Sequence, residues 1–146
     1  MKVKIKKINE NAVIPFKSHN SDFCYDVVAM SEIEVAPNIW RYGLGFAIEL
    51  EKDTNDDSLC CITLRPRSSI YKTGMVLSNG EGTIDFDFRG EVCAVFYHVM
   101  KDMPRYKVGD KIAQIHVEFS KELEFEVVDE LSYTERGTGG YGSTGK

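Results

Sequence analysis

Ile112-Ala113-Gln114-Ile115-His116-Val117-Glu118-Phe119 alternates along its length, with Ala113, Ile115, Val117 and Phe119 on one side and Gln114, His116 and Glu118 on the other. A period of two marks a strand with one face in a core and one in water. Working outward, Lys2 to Ile8, Val92 to Met100 and Leu123 to Val128 repeat the alternation, and Leu44 to Leu50 and Leu59 to Leu64 add two more runs of strand length. Pro15, Pro37, Pro66 and Pro104 fall outside these runs, as strand punctuation should. No stretch carries a sustained helical period. The short exception, Ser69 to Thr73 before Gly74, predicts one or two turns of helix. Many short strands with almost no helix predict an all-β sandwich, jelly roll or barrel.

The 146 residues, 42% hydrophobic and 28% charged, suffice for one domain with its own core. The opening MKVKIKKINE alternates lysine with valine and isoleucine and has no continuous apolar run, so a cytoplasmic protein without a membrane segment is expected. Cys24, Cys60, Cys61 and Cys93 show no C-x-x-C spacing and no histidine at zinc-finger distance, which predicts reduced thiols packed as small hydrophobes. A net charge of -5 and a pI near 5.2 argue against a nucleic-acid partner, because counterion release needs a basic face. A polyanionic substrate must be held by local cations.

Two segments interrupt the strand pattern. Ser78-Asn79-Gly80-Glu81-Gly82 reads as a hairpin turn between Met75 to Leu77 and Thr83 to Phe88, with Asn-Gly supplying positive φ angles. The tail RGTGGYGSTGK, Arg136 to Lys146, has too much glycine and too little apolar surface to fold by itself. A single β domain over 1–135 and a mobile arm over 136–146 are expected.

The arm combines glycine backbone with Arg136, Ser143, Thr144 and Lys146, an array of donors and cations suited to phosphate oxygens. Its matches to G-x-G-x-x-G and to most of a Walker A loop are set aside, since both motifs need a strand before and a helix after. Pro66-Arg67-Ser68-Ser69 opens the short helix, where N-H groups, two hydroxyls and a guanidinium can converge on an anion; capping by Ser68 or Ser69 is the commoner reason for serine there. Asp85 and Asp87 share one face of Thr83 to Phe88, where a carboxylate beside phosphate can take a proton from water and where carboxylates more often simply meet solvent. Asp26, a lone carboxylate within Cys24-Tyr25-Asp26-Val27-Val28-Ala29, must be paired or serve a cation. His19, His98 and His116 are too scattered for a metal site or a triad.

Taken in order, these segments resemble the five motifs of the trimeric dUTPase family, the deoxyuridine 5′-triphosphate nucleotidohydrolases, from about Asp22 to Gly145. The first is Cys24 to Ala29 and the second Pro66-Arg67-Ser68-Ser69. The third is Asn79-Gly80-Glu81-Gly82-Thr83-Ile84-Asp85-Phe86-Asp87-Phe88-Arg89-Gly90-Glu91, the fourth Gly109-Asp110-Lys111-Ile112-Ala113-Gln114, and the fifth Arg136 to Gly145. Any one motif is weak, whereas five in order within one small β domain are specific.

The resemblance implies a jelly-roll-like β-barrel subunit with one short helix, assembled as a homotrimer with shared active sites. It implies Mg²⁺-assisted hydrolysis of dUTP to dUMP and pyrophosphate, which limits uracil in DNA and supplies dUMP for dTTP synthesis. Carried over by position, Asp85 is the general base for in-line attack of water on the α-phosphorus, and Asp26 serves the metal through water. Arg67, Ser68, Ser69 and Gln114 hold the phosphate chain, while Arg136, Gly137, Gly142, Ser143 and Thr144 close over its γ end. Asn79, Gly82, Thr83 and Ile84 read uracil with main chain near Cys93 behind them, Phe88 packs under the deoxyribose, and Tyr141 stacks on the base. Phe88 stands where the family usually has tyrosine, and Tyr141 where it often has phenylalanine. A deoxycytidine triphosphate deaminase of the same fold and a dUTPase-like regulatory protein-binding module are the rival readings.

Overall fold

The computed structural model describes residues 1–51 and 58–142. Among them are β1 (Lys2–Lys7), β2 (Tyr25–Val28), β3 (Ser31–Ala36), β4 (Ile39–Gly43), β5 (Phe46–Glu51), β6 (Leu59–Pro66), a 3₁₀ turn (Ser68–Lys72), β7 (Met75–Leu77), β8 (Gly82–Ile84), β9 (Cys93–His98) and β10 (Lys111–Ser120). The all-β expectation holds. The strands pair antiparallel in three sheets, ordered β1-β5, β2-β10-β6-β8 and β3-β4-β9-β7. No helix among the described residues is long and apolar enough to cross a membrane.

β10 lies inside its sheet, paired with β2 along one edge and β6 along the other. Its alternation is realised, with Ala113 and Ile115 buried and Gln114 and His116 on the opposite face. Between Lys111 and Ala113 the register against β2 slips by one residue. Such a bulge breaks the alternation. Ile112 and Ala113 are therefore both buried, and Lys111 projects toward the polar face.

The core closes around three aromatic side chains with no exposure, Tyr42, Phe46 and Phe96. Phe96 meets Tyr42 and Tyr106 edge-on at 5.9 and 5.3 Å between ring centroids. The Tyr42 hydroxyl donates to the Tyr106 carbonyl at 2.9 Å, which gives a buried hydroxyl the partner it needs. All four cysteines are free thiols; burial pushes Cys61 and Cys93 above the usual thiol range.

Several expectations are corrected. Met75–Leu77 and Gly82–Ile84 do not form a hairpin: β7 pairs with β9 and β8 with β6, so the Asn79-Gly80 turn carries the chain from one sheet to another. The strand expected over Thr83 to Phe88 ends at Ile84, and Asp85 to Phe88 is a turn closed by the Phe88 N-H to the Asp85 carbonyl at 3.1 Å. Asp85 and Asp87 therefore do not share a strand face. Leu123 to Val128 forms no strand, because no edge among the described residues pairs with it. The helix is a 3₁₀ turn beginning at Ser68, and Pro66 ends β6 instead of lying beyond it. Strands β2, β3 and β4 were not singled out from the sequence. β3 and β4 are joined at Pro37-Asn38, where Asn38 has φ 63°, the arrangement of a type II turn.

The loop leading into β10 is fastened to β3 and β4 by Arg105, whose guanidinium lies 3.5 Å from the Trp40 ring centroid and donates to Glu32 Oε1 at 3.0 Å. That hydrogen bond holds the Glu32 carboxyl below the usual range, with burial pulling the other way and Lys107 assisting. A lowered folded-state value means the stabilisation is complete above the unfolded pKa and is lost as pH falls through the folded one. Glu32→Gln is therefore expected to cost about 1–2 kcal/mol at pH 7, with the gap to wild type closing as pH drops below about 4.5; chemical denaturation across that range measures it.

Candidate functional site

The row of residues across β2, β10 and β6 assembles the polar cluster. Asp26 pairs with Gln114, and Gln114 with Arg65, so all three share the face opposite the core. Pro66 ends the β6 ladder and Arg67 precedes the 3₁₀ turn, which returns the guanidinium to Asp26. Arg67 Nε donates to Asp26 Oδ1 at 2.9 Å, and Lys111 Nζ lies 3.1 Å from Oδ2. The Asp26 side chain is only 13% exposed. It is paired on both oxygens, which meets the requirement for a lone carboxylate in an apolar run.

Around this core, Arg67 Nη1 reaches Ser69 Oγ at 3.4 Å and Gln114 Nε2 donates to the Pro66 carbonyl at 3.3 Å. The 3₁₀ turn has no side-chain cap, so neither Ser68 nor Ser69 is occupied in capping it. One carboxylate and two cations leave a local surplus of positive charge in a protein of net charge -5. That charge suits an anion, with hydroxyls, an amide and a guanidinium beside it as donors.

Lys111 belongs to this cluster and was not singled out from the sequence. Its ammonium is also held by Ser18 Oγ at 3.2 Å and by the Phe16 ring at 4.6 Å. Phe16 itself is bridged to Asp26 through two backbone hydrogen bonds, of 3.2 and 2.7 Å. The bulge that re-aims Lys111 leaves no mark in residue periodicity, though the residue stands within Gly109 to Gln114.

A second group lies on the other edge of the same sheet. β8 is an edge strand, so the side of Gly82–Ile84 turned away from β6 offers backbone N-H and C=O groups to a ligand. Asp85, exposed, follows directly. Phe88 folds over Gly90, where any Cβ would come within 2.5 Å of its ring. Arg89 Nη1 braces the segment through the Phe86 and Phe88 carbonyls at 2.7 and 3.0 Å. Cys93 opens β9, partly buried.

Asn79, Gly82, Thr83, Ile84, Asp85 and Phe88 thus gather on one segment, and Asp26, Arg67, Ser69 and Gln114 in one cluster, with Ser68 at the start of the adjoining turn. The chain does not bring the two groups together. Ile84 lies opposite Ile62, three strands across from Asp26 and three residues along β6 from Arg65, which puts Asp85 on the order of 20 Å from Asp26.

In the arm, Arg136 Nε donates to the Gly139 carbonyl at 2.9 Å, the Gly137 N-H to that of Thr134 at 3.1 Å, and Tyr141 is fully exposed. Gly142 has φ 85°. Ser143 and Thr144 lie outside the described residues. The three histidines remain apart: His19 lies near Asp22, His98 bonds the Met103 carbonyl, and His116 bonds Thr63. Among the described residues no three His, Cys, Asp or Glu side chains converge to hold a metal ion. The single carboxylate of the cluster, Asp26, fits Mg²⁺ that arrives on a phosphate ligand, since this ion keeps several waters and shares itself between one or two carboxylates and phosphates.

The dUTPase family model matches residues 10–145. The deoxyuridine 5′-triphosphate nucleotidohydrolase of Clostridium novyi is 36% identical over 147 residues, covering 99% of each chain, and that of Nautilia profundicola is 35% identical with both chains covered completely. Among solved structures, the Staphylococcus bacteriophage 80alpha dUTPase with dUPNHPP superposes with a TM-score of 0.81 at 21% identity, covering 99% of each chain. A mutant dUTPase from phage phi11 of S. aureus, described for the coordination of a structural Mg(II) ion, gives 0.71 at 18% identity, over 91% of this chain and all of that one. By a family match along nearly its whole length and relatives identical at more than a third of positions, the chain belongs to the dUTPase family.

Proposed function

We propose that this chain hydrolyses dUTP to dUMP and pyrophosphate as a homotrimer whose active sites are shared between copies. One observation carries the reading: Asp85 and the anion pocket around Asp26 would both be needed in one nucleotide site, yet the two carboxylates lie on the order of 20 Å apart in one chain. Neighbouring copies supply the missing half. Each chain also leaves apolar surface for them. Ile33, Val76 and Tyr97 lie on the outer face of the β9 sheet, about half exposed, while Phe125 and Val127 are 87% and 100% exposed. Uncovered apolar surface of this kind marks an interface between subunits. The substrate follows from the named activity of the relatives.

Phosphoryl transfer asks for positioning and charge neutralisation more than for covalent chemistry. Arg67 and the Ser68 and Ser69 hydroxyls hold the triphosphate, with Gln114 beside them. As the anion enters, Arg67 exchanges Asp26 for phosphate oxygen, while Lys111 stays on Asp26 and keeps its carboxylate aligned. Asp26 would help hold Mg²⁺ through water, and the ion would supply further charge neutralisation. Asp85 accepts a proton from the water that attacks the α-phosphorus, and the α-β bridging oxygen leaves with the electron pair as pyrophosphate.

The unpaired edge of β8 and the Asn79 turn read the base, as a complementary strand would. Cytosine reverses the donor and acceptor pattern, a mismatch worth about 10⁴ in a site built for uracil. The methyl group of thymine must displace packed atoms, at roughly 1–3 kcal/mol. Phe88 retains the ring that excludes a ribose 2′-hydroxyl. Arg136, Gly137, Gly142, Ser143 and Thr144 close over the γ-phosphate, and Tyr141 stacks on the base, so the arm is a lid. Deamination of dCTP is not favoured, since Asp85 is assigned to water attack on phosphorus and the relatives are named for dUTP hydrolysis.

Purified protein with Mg²⁺ is expected to release pyrophosphate from dUTP and hardly any from dCTP, dTTP or UTP; ammonia from dCTP would instead assign the deaminase reaction. Asp85→Asn keeps the shape but not the basicity, so kcat is expected to fall by about 10²–10⁴ with dUTP binding largely intact. A wild-type rate in that variant places the base elsewhere. Sedimentation is expected to give three times the chain mass. Deleting 136–146 should preserve that trimer and lower kcat/KM on the order of 10²-fold, and a monomeric product contradicts the lid.

A further inference from the structure

Beyond the ladder of Gly82–Ile84 to Ile62, Thr63 and Leu64 of β6, the turn that carries Asn79 to Ile84 is held at few points. It leaves β7 in one sheet and enters β8 in another, and β8 is three residues long with one edge bare. Its internal backbone bonds are local: the Gly80 N-H to the Leu77 carbonyl at 3.0 Å, and the Glu81 N-H to that of Asn79 at 2.8 Å. Gly80, at φ 71°, has no atom within 4 Å of where a Cβ would stand, so no neighbouring element packs against the turn there.

Among the described residues, one side-chain ion pair crosses from this turn to the rest of the fold. Arg65 Nε donates to Glu81 Oε2, and Arg65 Nη2 lies 3.6 Å from Glu118 Oε2 on β10. Arg65 stands in β6 directly opposite Gln114, in the row that also holds Asp26. Its guanidinium therefore links the turn to the strands that carry the anion pocket. Neither Arg65 nor Glu81 belongs to the groups assigned to substrate.

Resting on the reading of the chain as a dUTP hydrolase, we infer that the Arg65–Glu81 ion pair is a positioning device that fixes the base-reading turn and so sets the strength and selectivity of uracil binding. The pair orders donors and acceptors before the base arrives, which spares the nucleotide the entropy of ordering them. It acts on recognition and not on the proton transfer at Asp85. Both side chains are 42% exposed, which bounds the effect to about three- to fivefold and makes it weaken as salt screens the charges.

The test compares wild type with Glu81→Gln, Arg65→Gln and the charge-swapped pair Arg65→Glu with Glu81→Arg, at low and high salt. Each single variant is expected to raise KM for dUTP about three- to fivefold at low salt with kcat within about twofold of wild type, to narrow the preference for dUTP over dCTP, and to differ less at high salt. The swapped pair is expected to recover most of the lost KM. Unchanged KM in both single variants, or kcat falling as much as kcat/KM, overturns the inference. Amide hydrogen exchange over Asn79 to Ile84 gives a readout independent of turnover: faster exchange in Glu81→Gln supports positioning, and unchanged exchange refutes it. A wild-type protein inert toward dUTP would overturn the hydrolase reading instead, leaving the exchange result to decide whether the pair fixes the turn.

Discussion

Strand β10 is hydrogen-bonded along both edges, and that double pairing orders the polar cluster of the candidate site. It sets Asp26 of β2, Gln114 of its own chain segment and Arg65 of β6 in one row, from three stretches far apart in sequence. The apolar partners of the same strands, Val27, Ala113 and Leu64, face the core. A one-residue slip in either ladder would exchange the two faces, so burial of one row enforces the geometry of the other. The bulge at the start of β10 is the single departure, and it delivers Lys111 to Asp26.

An acidic protein that handles a polyanion must solve an electrostatic problem locally. Asp26 does so by gathering Arg67 and Lys111 around itself. The carboxylate keeps the two cations from repelling each other before any ligand is present, and it leaves a surplus of positive charge suited to an anion. The arrangement also suits a metal ion better when it travels with the nucleotide than alone, because the bare ion would meet net positive charge.

The legibility of this fold follows physical lines. β10 and β9 declare themselves because one face of each is largely buried and the other is not, so periodicity survives, whereas β1 keeps its alternation with only Ile5 partly buried. β3 is harder, since Glu32 turns its carboxylate inward to Arg105 while Ile33 and Val35 are exposed, which inverts the expected pattern. Asn79-Gly80 names a reversal correctly, but a turn residue does not say which strands it separates. Leu123 to Val128 has the alternation of a strand, and a strand needs an edge to bind, which no local sequence specifies. At the candidate site, Asp26, Arg67, Ser69 and Gln114 were legible from the motifs and do converge. Lys111 was missed because a bulge is a property of two strands together.

The Leu123 to Val128 segment has a consequence for the chain as it leaves the ribosome. Its exposed Leu123, Phe125 and Val127 are a ready template for stacking with any like segment. Glu122, Glu124 and Glu126 alternate with them, so two such segments brought edge to edge would set rows of carboxylates against each other. The acidic residues thus act as gatekeepers, discouraging the growth of fibres from a stretch whose apolar side stands bare.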